Sequence, residues 1–569
     1  MTPDISKKIR IRVGSGPAIY LNPSEYVTSG GEGAIYLKKN EVFKVYTGDE
    51  DRAYLEEKVG LLQAFLPYDS TIVCPREILY DDAGRVMGYT MPYVKGEPLV
   101  RFFTNDYRMK NGYDELKTIR TVEVMRNIVR AAHMHHAVMV DANEMNYLMV
   151  SGHKPVVIDV DSWQIGRFKA TVIMPSIRDH HTKDFCADSD WFSWAVVTFQ
   201  LFTGIHPYKG RHPKYKPFDF LQRMKDNVSV FNPDTHLPAS ARDFGLIPKG
   251  LKDWYVEVFE NKARLAPPDN FDSILPTKVI HRTMIQSSGS LRMDKLRDYT
   301  VPIRNVFHNG IVQLMNGAVM RGQKLVLMLS QVDGVKSVDD DVALAAQAGN
   351  GPLLYHIGPG NLATAVPCPL TSERILCKDN RIFLVHAGGI TELARIGKMG
   401  SKFVVSPGSM WSFNPLSTTF GEGAAVYDAL GRPFVVMPIG DAGCVIQKCP
   451  ELEGKVPIEV KGVKGFFCCL AKDRHGQNHK VEVMYDEATG EVIRSWTGPT
   501  DENELNFAMN SRGIVVAIIE DGKLIAFSPK DGRTISIDNP NISTDMKLYG
   551  MNGDIVFTRH NELWQLSMK

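Results

Sequence analysis

The stretch VDANEMNYLMVSGHKPVVIDVDSWQI, residues Val140–Ile165, is the part of the sequence from which the fold can be worked out. It contains two short apolar runs, Tyr147–Val150 and Pro155–Ile158. The turn-forming residues Ser151–Lys154 separate them, and two such runs around a turn are typical of a β-hairpin. We therefore expect two antiparallel strands here, with a polar side chain at each mouth of the hairpin.

Three polar side chains stand at fixed intervals around this hairpin. Asn146 lies five residues after Asp141, and Asp159 lies thirteen residues after Asn146. Each of them alone would be interpreted as a turn or capping residue. As a set they offer oxygen ligands for Mg²⁺ and one further carboxylate to orient a hydroxyl, which is what a metal–polyphosphate pocket requires.

The same spacing resembles the catalytic core of the protein-kinase superfamily. The resemblance implies that Asp141 is the catalytic-loop aspartate and that Asn146 and Asp159 hold Mg²⁺. The motif departs from the usual pattern at Asn143, where protein kinases carry a lysine; small-molecule phosphotransferases and some atypical kinases share this difference.

A second departure lies just after the hairpin, where Asp161 takes the place of the usual glycine. With Ser162-Trp163-Gln164, this segment resembles a bacterial and phage branch of atypical kinases that carries Ile-Asp-x-Asp-Ser-Phe-Gln. The resemblance leaves two roles open for Asp161, an additional metal ligand or a loop cap.

A glycine-rich turn between β-prone runs precedes this region. Glycines let the backbone approach a phosphate closely, and a lysine on the next strand can neutralise the phosphate oxygens. The turn resembles the kinase nucleotide loop with Thr28 in place of its first glycine, although a plain β-turn would also fit. The resemblance assigns nucleotide binding to Gly30, Gly31, Gly33 and Lys44.

Residues 49–66 have the periodicity of an amphipathic helix with acidic residues in its first turn. The resemblance implies that a glutamate of this helix pairs with Lys44. We assign that role to Glu57, with Glu56 as the alternative and a solvated acidic face as the plain interpretation.

A later strand ends at Met91-Pro92, and the segment resembles the kinase hinge with Met91 as gatekeeper. There the carbonyl of Pro92 would accept the amino group of adenine, and the N–H of Val94 would donate to the ring. Proline is compatible with that position because the position uses only its carbonyl.

An apolar helix beginning near Asp188 must be central to its lobe, because it is apolar on every side. It resembles the kinase F helix, which implies that Asp190 braces the catalytic loop. Arg264 belongs to a segment that resembles the last helices of the lobe.

The composition excludes several classes of protein. The 66 basic and 65 acidic residues nearly cancel, so no electrostatic footprint for nucleic acid or an anionic membrane is expected. The eight cysteines are scattered without metal-ligand spacing, which is typical of reduced thiols in the cytoplasm. The longest uncharged run, Trp191–Ile205, is short for a bilayer, and no signal peptide is recognised.

Beyond Gln286–Ser290, a linker by composition, helical periodicity nearly vanishes. Similar β-prone segments start at residues 381, 424, 466, 513 and 554, at intervals of 43, 42, 47 and 41 residues. Such a period fits one four-stranded blade per repeat, so we expect a β-propeller of six or seven blades. A pair of two-sheet β-sandwiches is the alternative.

The sequence thus predicts an α+β, bilobal kinase-like fold followed by an all-β domain. The predicted boundaries are 1–92 for the N-lobe, 93–284 for the C-lobe and 285–569 for the β domain. The resemblance implies ATP- and Mg²⁺-dependent phosphorylation of Ser or Thr in a protein substrate. We expect the β domain to bind that substrate or a partner protein. The alternatives are a pseudokinase scaffold, a nucleotidyl transferase and a small-molecule kinase.

The residue before Asp141 is Val140, not the arginine that grips a phosphorylated activation loop in many kinases. The candidate loop, residues 167–187, offers Thr171, Ser176 and Thr182 as acceptors. We therefore expect activity without phosphorylation of this loop.

Overall fold

The structure is a computed structural model that describes most of the chain. The described residues are 4–30, 33–48, 54–65, 71–170, 172–269, 271, 291–339, 341–349, 351–399, 402–519, 522–530, 534–537, 539, 541–543 and 545–568. The predicted linker Gln286–Ser290 lies outside them. The chain divides into a first unit of residues 1–237, 241–279 and 472–477, and a second unit of residues 238–240, 280–471 and 478–569.

The first unit opens with a seven-stranded antiparallel sheet in the order β2-β1-β6-β7-β5-β4-β3. Its strands are β1 Ile9–Val13, β2 Ala18–Leu21, β3 Tyr26–Ser29, β4 Gly33–Lys38, β5 Glu41–Tyr46, β6 Ile78–Tyr80 and β7 Val86–Pro92. Strand β5 lies between β4 and β7, with Lys44 opposite Ile35 on one side and Tyr89 on the other. Lys44 therefore points from the middle of the sheet and not from an edge.

The helices of the first unit are α1 Leu55–Phe65, α2 Asn105–Lys110, α3 Glu115–Met134, α4 Ala187–Thr203, α5 Phe220–Asp226 and α6 Lys249–Phe259. Helix α3 begins at the N-cap Asp114, whose carboxylate accepts the backbone N–H of Lys117 at 2.8 Å. Helix α4 is buried from Ser189 to Thr203 and ends at Gly204, whose φ of 75° suits glycine. The prediction of an apolar central helix is confirmed.

Short strands connect these helices. They are β8 Glu97–Pro98, β9 Ala137–Val138, β10 Tyr147–Val150, β11 Lys154–Val157 and β12 Gln164–Ile165. Strands β10 and β11 form the predicted hairpin, with Tyr147 opposite Val157 and Val150 opposite Lys154. Register in a hairpin follows from turn length and from the alternation of buried residues, both of which are local.

The second unit is all-β in the residues described, as predicted. Its strands are β13 Leu291–Asp298, β14 Ile303–Val306, β15 Ile311–Leu314, β16 Ala318–Arg321, β17 Lys324–Met328, β18 Gly334–Val338, β19 Asp341–Ala348, β20 Gly351–Ile357, β21 Ala363–Val366, β22 Arg374–Lys378, β23 Arg381–His386, β24 Gly389–Met399, β25 Lys402–Ser412, β26 Thr418–Phe420, β27 Ala425–Ala429, β28 Arg432–Ile439, β29 Gly443–Lys448, β30 Lys455–Val463, β31 Phe466–Asp473, β32 Asn478–Tyr485, β33 Val492–Pro499, β34 Phe507–Met509, β35 Val515–Ile518, β36 Leu524–Phe527, β37 Thr534–Ile537, β38 Lys547–Met551, β39 Asp554–Arg559 and β40 Glu562–Met568.

These strands form seven four-stranded antiparallel sheets. Six are built from consecutive strands, β14–β17 through β34–β37, and the seventh joins β13 to β38–β40 in the order β13-β40-β39-β38. The first strand of the unit, Leu291–Asp298, thus pairs with the last, Glu562–Met568. The five repeated segments of the sequence all fall on an inner strand of a sheet: β23, β27, β31, β35 and β39.

Each sheet of the second unit shares a buried apolar cluster with the next one along the chain. One cluster joins Val312 of β15 to Val556 of β39, and another joins Val319 of β16 to Leu344 of β19. The series ends with a cluster that joins Leu524 of β36 to Phe557 of β39. Because the sheet of β13 and β38–β40 packs on both β14–β17 and β34–β37, the succession of cores has no open end.

Among the described helices, none combines the length and the apolarity that crossing a bilayer would need.

Candidate functional site

Asp141 follows a strained turn. Val140 has a φ of 59°, a left-handed conformation that is unfavourable for a β-branched residue. The buried carboxylate of Asp190 accepts the backbone N–H of Met139 at 2.8 Å and that of Val140 at 2.9 Å. Two hydrogen bonds to one fixed carboxylate can hold a turn that its own sequence disfavours.

Asp190 lies in the first turn of α4, on the most buried helix of the first unit. Its third partner is His133 near the end of α3, whose Nε2 lies 2.9 Å from Asp190 Oδ2. His133 thus has an acidic partner that lies 57 residues further along the chain. The contact is a hydrogen bond that joins α3 to α4, and the same carboxylate holds the turn at Met139 and Val140.

The hairpin brings Asn146 and Asp159 to the same end. The backbone N–H of Ile158, the residue before Asp159, donates to the carbonyl oxygen of Asn146 at 2.9 Å. The side-chain amide of Asn146 donates from Nδ2 to the carbonyl oxygen of Asp141 at 2.8 Å. The three predicted residues Asp141, Asn146 and Asp159 are therefore linked through backbone contacts.

The donor set at this hairpin end fits Mg²⁺. Because Asn146 uses its Nδ2 on Asp141, its Oδ1 is the atom that can face a cation. Asp159 is about one-third exposed and contributes a carboxylate, and both oxygens are of the kind that Mg²⁺ prefers. No group of three or more His, Cys, Asp or Glu side chains in the described part of the chain could hold a metal. The protein would thus supply two ligands, as is common where phosphate oxygens complete the shell.

Lys44 reaches this site from β5. The side chain is buried, and its ammonium contacts the carboxylates of Asp159 and Asp161. Burial by itself would lower the pKa of the ammonium, but Asp161, Tyr89 and Asp159 outweigh burial and raise the pKa well above its usual value. Lys44 is therefore a fixed positive charge beside Asp159.

Asp161 has the most complete set of donors in the site. Its carboxylate is 2% exposed and accepts Lys44 Nζ at 3.0 and 3.1 Å. The hydroxyl of Tyr89 donates to Oδ1 at 2.6 Å, and the hydroxyl of Tyr46 donates to Oδ2. Burial would raise the pKa of this carboxyl, but Lys44 and the two tyrosines lower it to about 2.

The structure does not bring the predicted glutamate to Lys44. Glu57 is half exposed and pairs with Arg167, and the alternative, Glu56, accepts the hydroxyl of Tyr80. The buried charged residue of α1 is instead Lys58, whose ammonium donates to the backbone carbonyl of Asp161. The prediction of a helix is confirmed, but its rotation about its own axis directs Glu57 to Arg167 and Glu56 to Tyr80 at the end of β6, so neither glutamate reaches Lys44.

The glycine-rich turn is partly described. Gly30 donates its N–H to the carbonyl of Gly33 at 2.9 Å, and Gly31 lies outside the described residues. A Cβ at Gly33 would lie 2.7 Å from the carbonyl oxygen of Val45, so only glycine fits this approach of β4 to β5. The turn therefore lies at the end of the strand pair that carries Lys44.

Strand β7 ends at Pro92, the residue whose carbonyl was assigned to the predicted hinge. Met91 is buried in an apolar cluster with Val42 of β5, and Val94 and Ile158 pack against the same cluster. Val94 follows the strand at the edge of this cluster. The apolar surface thus runs from the end of β7 to the residue before Asp159.

Asp141 itself is partly buried, and its Oδ1 accepts the backbone N–H of Met174 at 2.8 Å. Further along this segment, Asp179 is fully buried and accepts Arg264 Nε at 2.6 Å and Nη2 at 2.7 Å. The bidentate pair fixes the far end of the loop. Ser176 is buried, and Thr171 lies outside the described residues.

Five residues of the site region were not predicted from sequence: Tyr46, Lys58, Tyr89, His133 and Asp179. Tyr46 had a detectable signal, because it lies two residues after Lys44 and so shares its face of β5. The others depend on which strand pairs with which, or on which helix face is buried. Local patterns do not contain that information.

Comparison with known proteins agrees with part of this interpretation. The chain is 27% identical over 222 residues to a protein named Protein kinase YegI from Escherichia coli O157:H7, a match covering 34% of each protein. It is 26% identical over 203 residues to Protein kinase YegI from Escherichia coli K12, covering 32% of this chain and 31% of the relative. No family model matches the chain. The chain is therefore distantly similar to proteins named as protein kinases, of which it spans about a third.

Proposed function

We propose that this protein is an ATP- and Mg²⁺-dependent protein kinase that phosphorylates serine or threonine. The observation that carries the proposal is that Lys44 of strand β5 and Asp141, Asn146 and Asp159, which lie in the segments before and after the hairpin strands, are linked by contacts at one end of the hairpin. The similarity to the two Escherichia coli proteins supports the same class of activity.

In the proposed reaction, the hydroxyl oxygen of the acceptor attacks the γ-phosphorus of ATP, the bond to the β-phosphate oxygen breaks, and ADP leaves. Asp141 orients the hydroxyl and accepts its proton. Lys44 binds the α- and β-phosphates through its fixed positive charge. Mg²⁺, held by Asn146 and Asp159, would neutralise charge on the phosphates.

The nucleotide is proposed to lie along the apolar cluster at the end of β7. Met91, Val94 and Ile158 provide an apolar surface for the adenine ring, and the Pro92 carbonyl and Val94 N–H supply its polar contacts. Gly30, Gly31 and Gly33 would cover the phosphates. This arrangement corresponds to a bilobal kinase fold, which the order of sheet, helices and hairpin in the first unit supports.

We propose further that the second unit is a seven-bladed β-propeller that binds the substrate or a partner protein. Seven four-stranded sheets, the pairing of Leu291–Asp298 with Glu562–Met568, and the unbroken succession of shared cores support this architecture over a pair of sandwiches. A propeller offers a rigid rim for holding another protein.

The proposed function is tested with the purified chain, Mg²⁺ and ATP labelled on the γ-phosphate. The wild type should transfer the label to itself or to an added protein, on serine or threonine. Asp141→Asn should reduce transfer about 10³-fold, because the proton acceptor is lost, and should leave ATP binding intact. Asp184→Ala removes an exposed carboxylate of the neighbouring loop and is the matched control.

Mass spectrometry of the product separates the proposal from its alternatives. An added phosphate supports kinase activity, and an added AMP would show nucleotidyl transfer. Phosphate on a small molecule alone would show a small-molecule kinase. Absence of any product, with ATP still bound, would favour a scaffold.

A further inference from the structure

The N-terminal half of α1 presents a cation, not an anion, to the site. Lys58 is 5% exposed and donates its ammonium to the backbone carbonyl oxygen of Asp161. Its neighbour Glu56 accepts a hydrogen bond from the hydroxyl of Tyr80, and Glu57 forms an ion pair with Arg167. The helix therefore contacts the loop after β11 through a lysine, and its carboxylates take no part in holding Lys44.

The loop after β11 supplies the missing anion. Asp161 lies in the single 3₁₀ turn Val160–Ser162, directly after Asp159. Its Oδ1 receives Lys44 and Tyr89, and its Oδ2 receives Lys44 and Tyr46. Two phenols fix the orientation of the carboxylate independently of Lys44, so the anion is preorganised for the ammonium.

Asp159 and Asp161 differ in what they can do for Lys44. The Asp159 side chain is 33% exposed at the hairpin end, where a cation and phosphates can reach it. The Asp161 side chain is 2% exposed and surrounded by donors. A carboxylate with two donors on each oxygen has little capacity left for a metal ion. Of its two predicted roles, this environment disfavours the metal ligand.

We propose that Asp161 is the positioning carboxylate of Lys44, in the place that a glutamate of α1 was expected to take, and that Lys58 ties α1 to this carboxylate's loop. The proposal deepens the proposed kinase function and rests on it. If Asp161 positions Lys44, a displacement of α1 alone leaves Lys44 paired with Asp161. Any control of Lys44 must act on the loop after β11.

The first experiment compares Asp161→Asn with Glu57→Gln in the full chain, measuring ATP affinity and the kinetics of label transfer. Asp161→Asn should lower kcat/KM for ATP about 100-fold, and Glu57→Gln should change it less than twofold. Tyr89→Phe removes one donor and should give a smaller loss, about fivefold, which keeps the test informative if Asp161→Asn folds poorly. A wild-type kcat/KM in Asp161→Asn, or a loss in Glu57→Gln matching that in Asp161→Asn, would overturn the proposal.

A double-mutant cycle with Lys44→Met separates positioning from other roles. If Asp161 acts through Lys44, Asp161→Asn should cause no further loss of ATP affinity in the Lys44→Met background. A loss of the same size in both backgrounds, or a higher Mg²⁺ requirement that persists without Lys44, would show a direct or metal-binding role and overturn the proposal. Lower thermal stability with unchanged ATP affinity would also overturn it.

The last variant moves the carboxylate from the loop after β11 to helix α1. Lys58→Glu introduced into Asp161→Asn places a carboxylate on α1, close to the loop that Lys44 contacts, and should recover at least tenfold of the lost kcat/KM. Lys58→Gln in the same background is the control and should recover nothing. If the wild type transfers no phosphate, the proposed function fails, but the cycle on ATP affinity still decides whether Asp161 positions Lys44.

Discussion

Two buried carboxylates organise the first unit, and they do so in different ways. Asp190 accepts hydrogen bonds from the backbone N–H groups of Met139 and Val140 and from the side chain of His133. Asp161 accepts only side-chain donors at its carboxylate, from strands β5 and β7. Asp190 therefore fixes the path of the main chain, whereas Asp161 fixes a charge. Loss of the Asp190 carboxylate should therefore lower both stability and turnover. Loss of the Asp161 carboxylate should mainly lower ATP affinity and kcat/KM for ATP.

The largest expected effect is that of Asp190→Ala. The change leaves the two buried backbone N–H groups of Met139 and Val140 without their acceptor, so we expect a loss of about 4 kcal/mol in the free energy of unfolding. Urea denaturation measures it. Asp190→Asn keeps one acceptor oxygen and should cost about half as much. If the free energy of unfolding of Asp190→Asn equalled that of the wild type, the turn would be stable without the Asp190 carboxylate.

A second prediction concerns the pH dependence of stability, to which the buried His206 and the buried Asp161 should contribute in different pH ranges. His206 is 2% exposed, lies with Nε2 2.7 Å from the carbonyl oxygen of Ser176, and accepts the N–H of Tyr208 at Nδ1. Burial, reinforced by Lys209, lowers the pKa of His206 well below its usual value, so the folded state keeps it neutral. As the pH falls below about 6.5, the unfolded chain binds a proton that the folded chain excludes, and stability falls.

From pH 7.5 to 5.5 this linkage should cost about 1.4 kcal/mol. His206→Gln should remove that part of the pH dependence, as measured by urea denaturation at both pH values. The Asp161 carboxyl, with a pKa of about 2, should contribute nothing to it, because its stabilisation is lost only as the pH falls from about 3.8 towards 2. An unchanged slope in His206→Gln would contradict the assignment.

A smaller effect is expected for His133→Phe. The substitution removes one of the three donors to Asp190 but preserves a ring against Trp191, whose centroid lies 5.4 Å away. We expect a loss of about 1 kcal/mol in stability and turnover within twofold of wild type, because the hydrogen bonds from Met139 and Val140 remain. A tenfold loss of turnover would show that the catalytic-loop turn depends on His133 as well.

The smallest effect is expected in the loop that follows. Ser176 is buried in the 3₁₀ turn Pro175–Ile177, and its hydroxyl has no hydrogen-bond partner among the residues that the structure describes. Ser176→Ala and Thr182→Ala, singly and together, should keep at least half of the wild-type turnover. A hundredfold loss that an acidic replacement restores would show that phosphorylation of this loop controls activity, contrary to the prediction from Val140.

The sequence by itself determined the features that depend on local pattern. The hairpin Tyr147–Val157, the apolar helix with Asp190, and the repeated segments of the second unit all follow from periodicity and turn residues, which act over a few residues. The spacing of Asp141, Asn146 and Asp159 brings these residues together in the structure because two short-range hydrogen bonds at the hairpin end, Asn146 Nδ2 to the Asp141 carbonyl and Ile158 N–H to the Asn146 carbonyl, connect their segments.

Only the tertiary structure decided which anion holds Lys44. Choosing between Glu57 and Asp161 required the rotation of α1 about its axis and the pairing of β5 with β7, and both are set by packing over long sequence separations. One residue along a helix turns a side chain by about 100°. A sequence pattern that leaves the phase uncertain by one residue therefore cannot tell Glu57 from Lys58, and the two differ in the sign of the charge that they bring to the site.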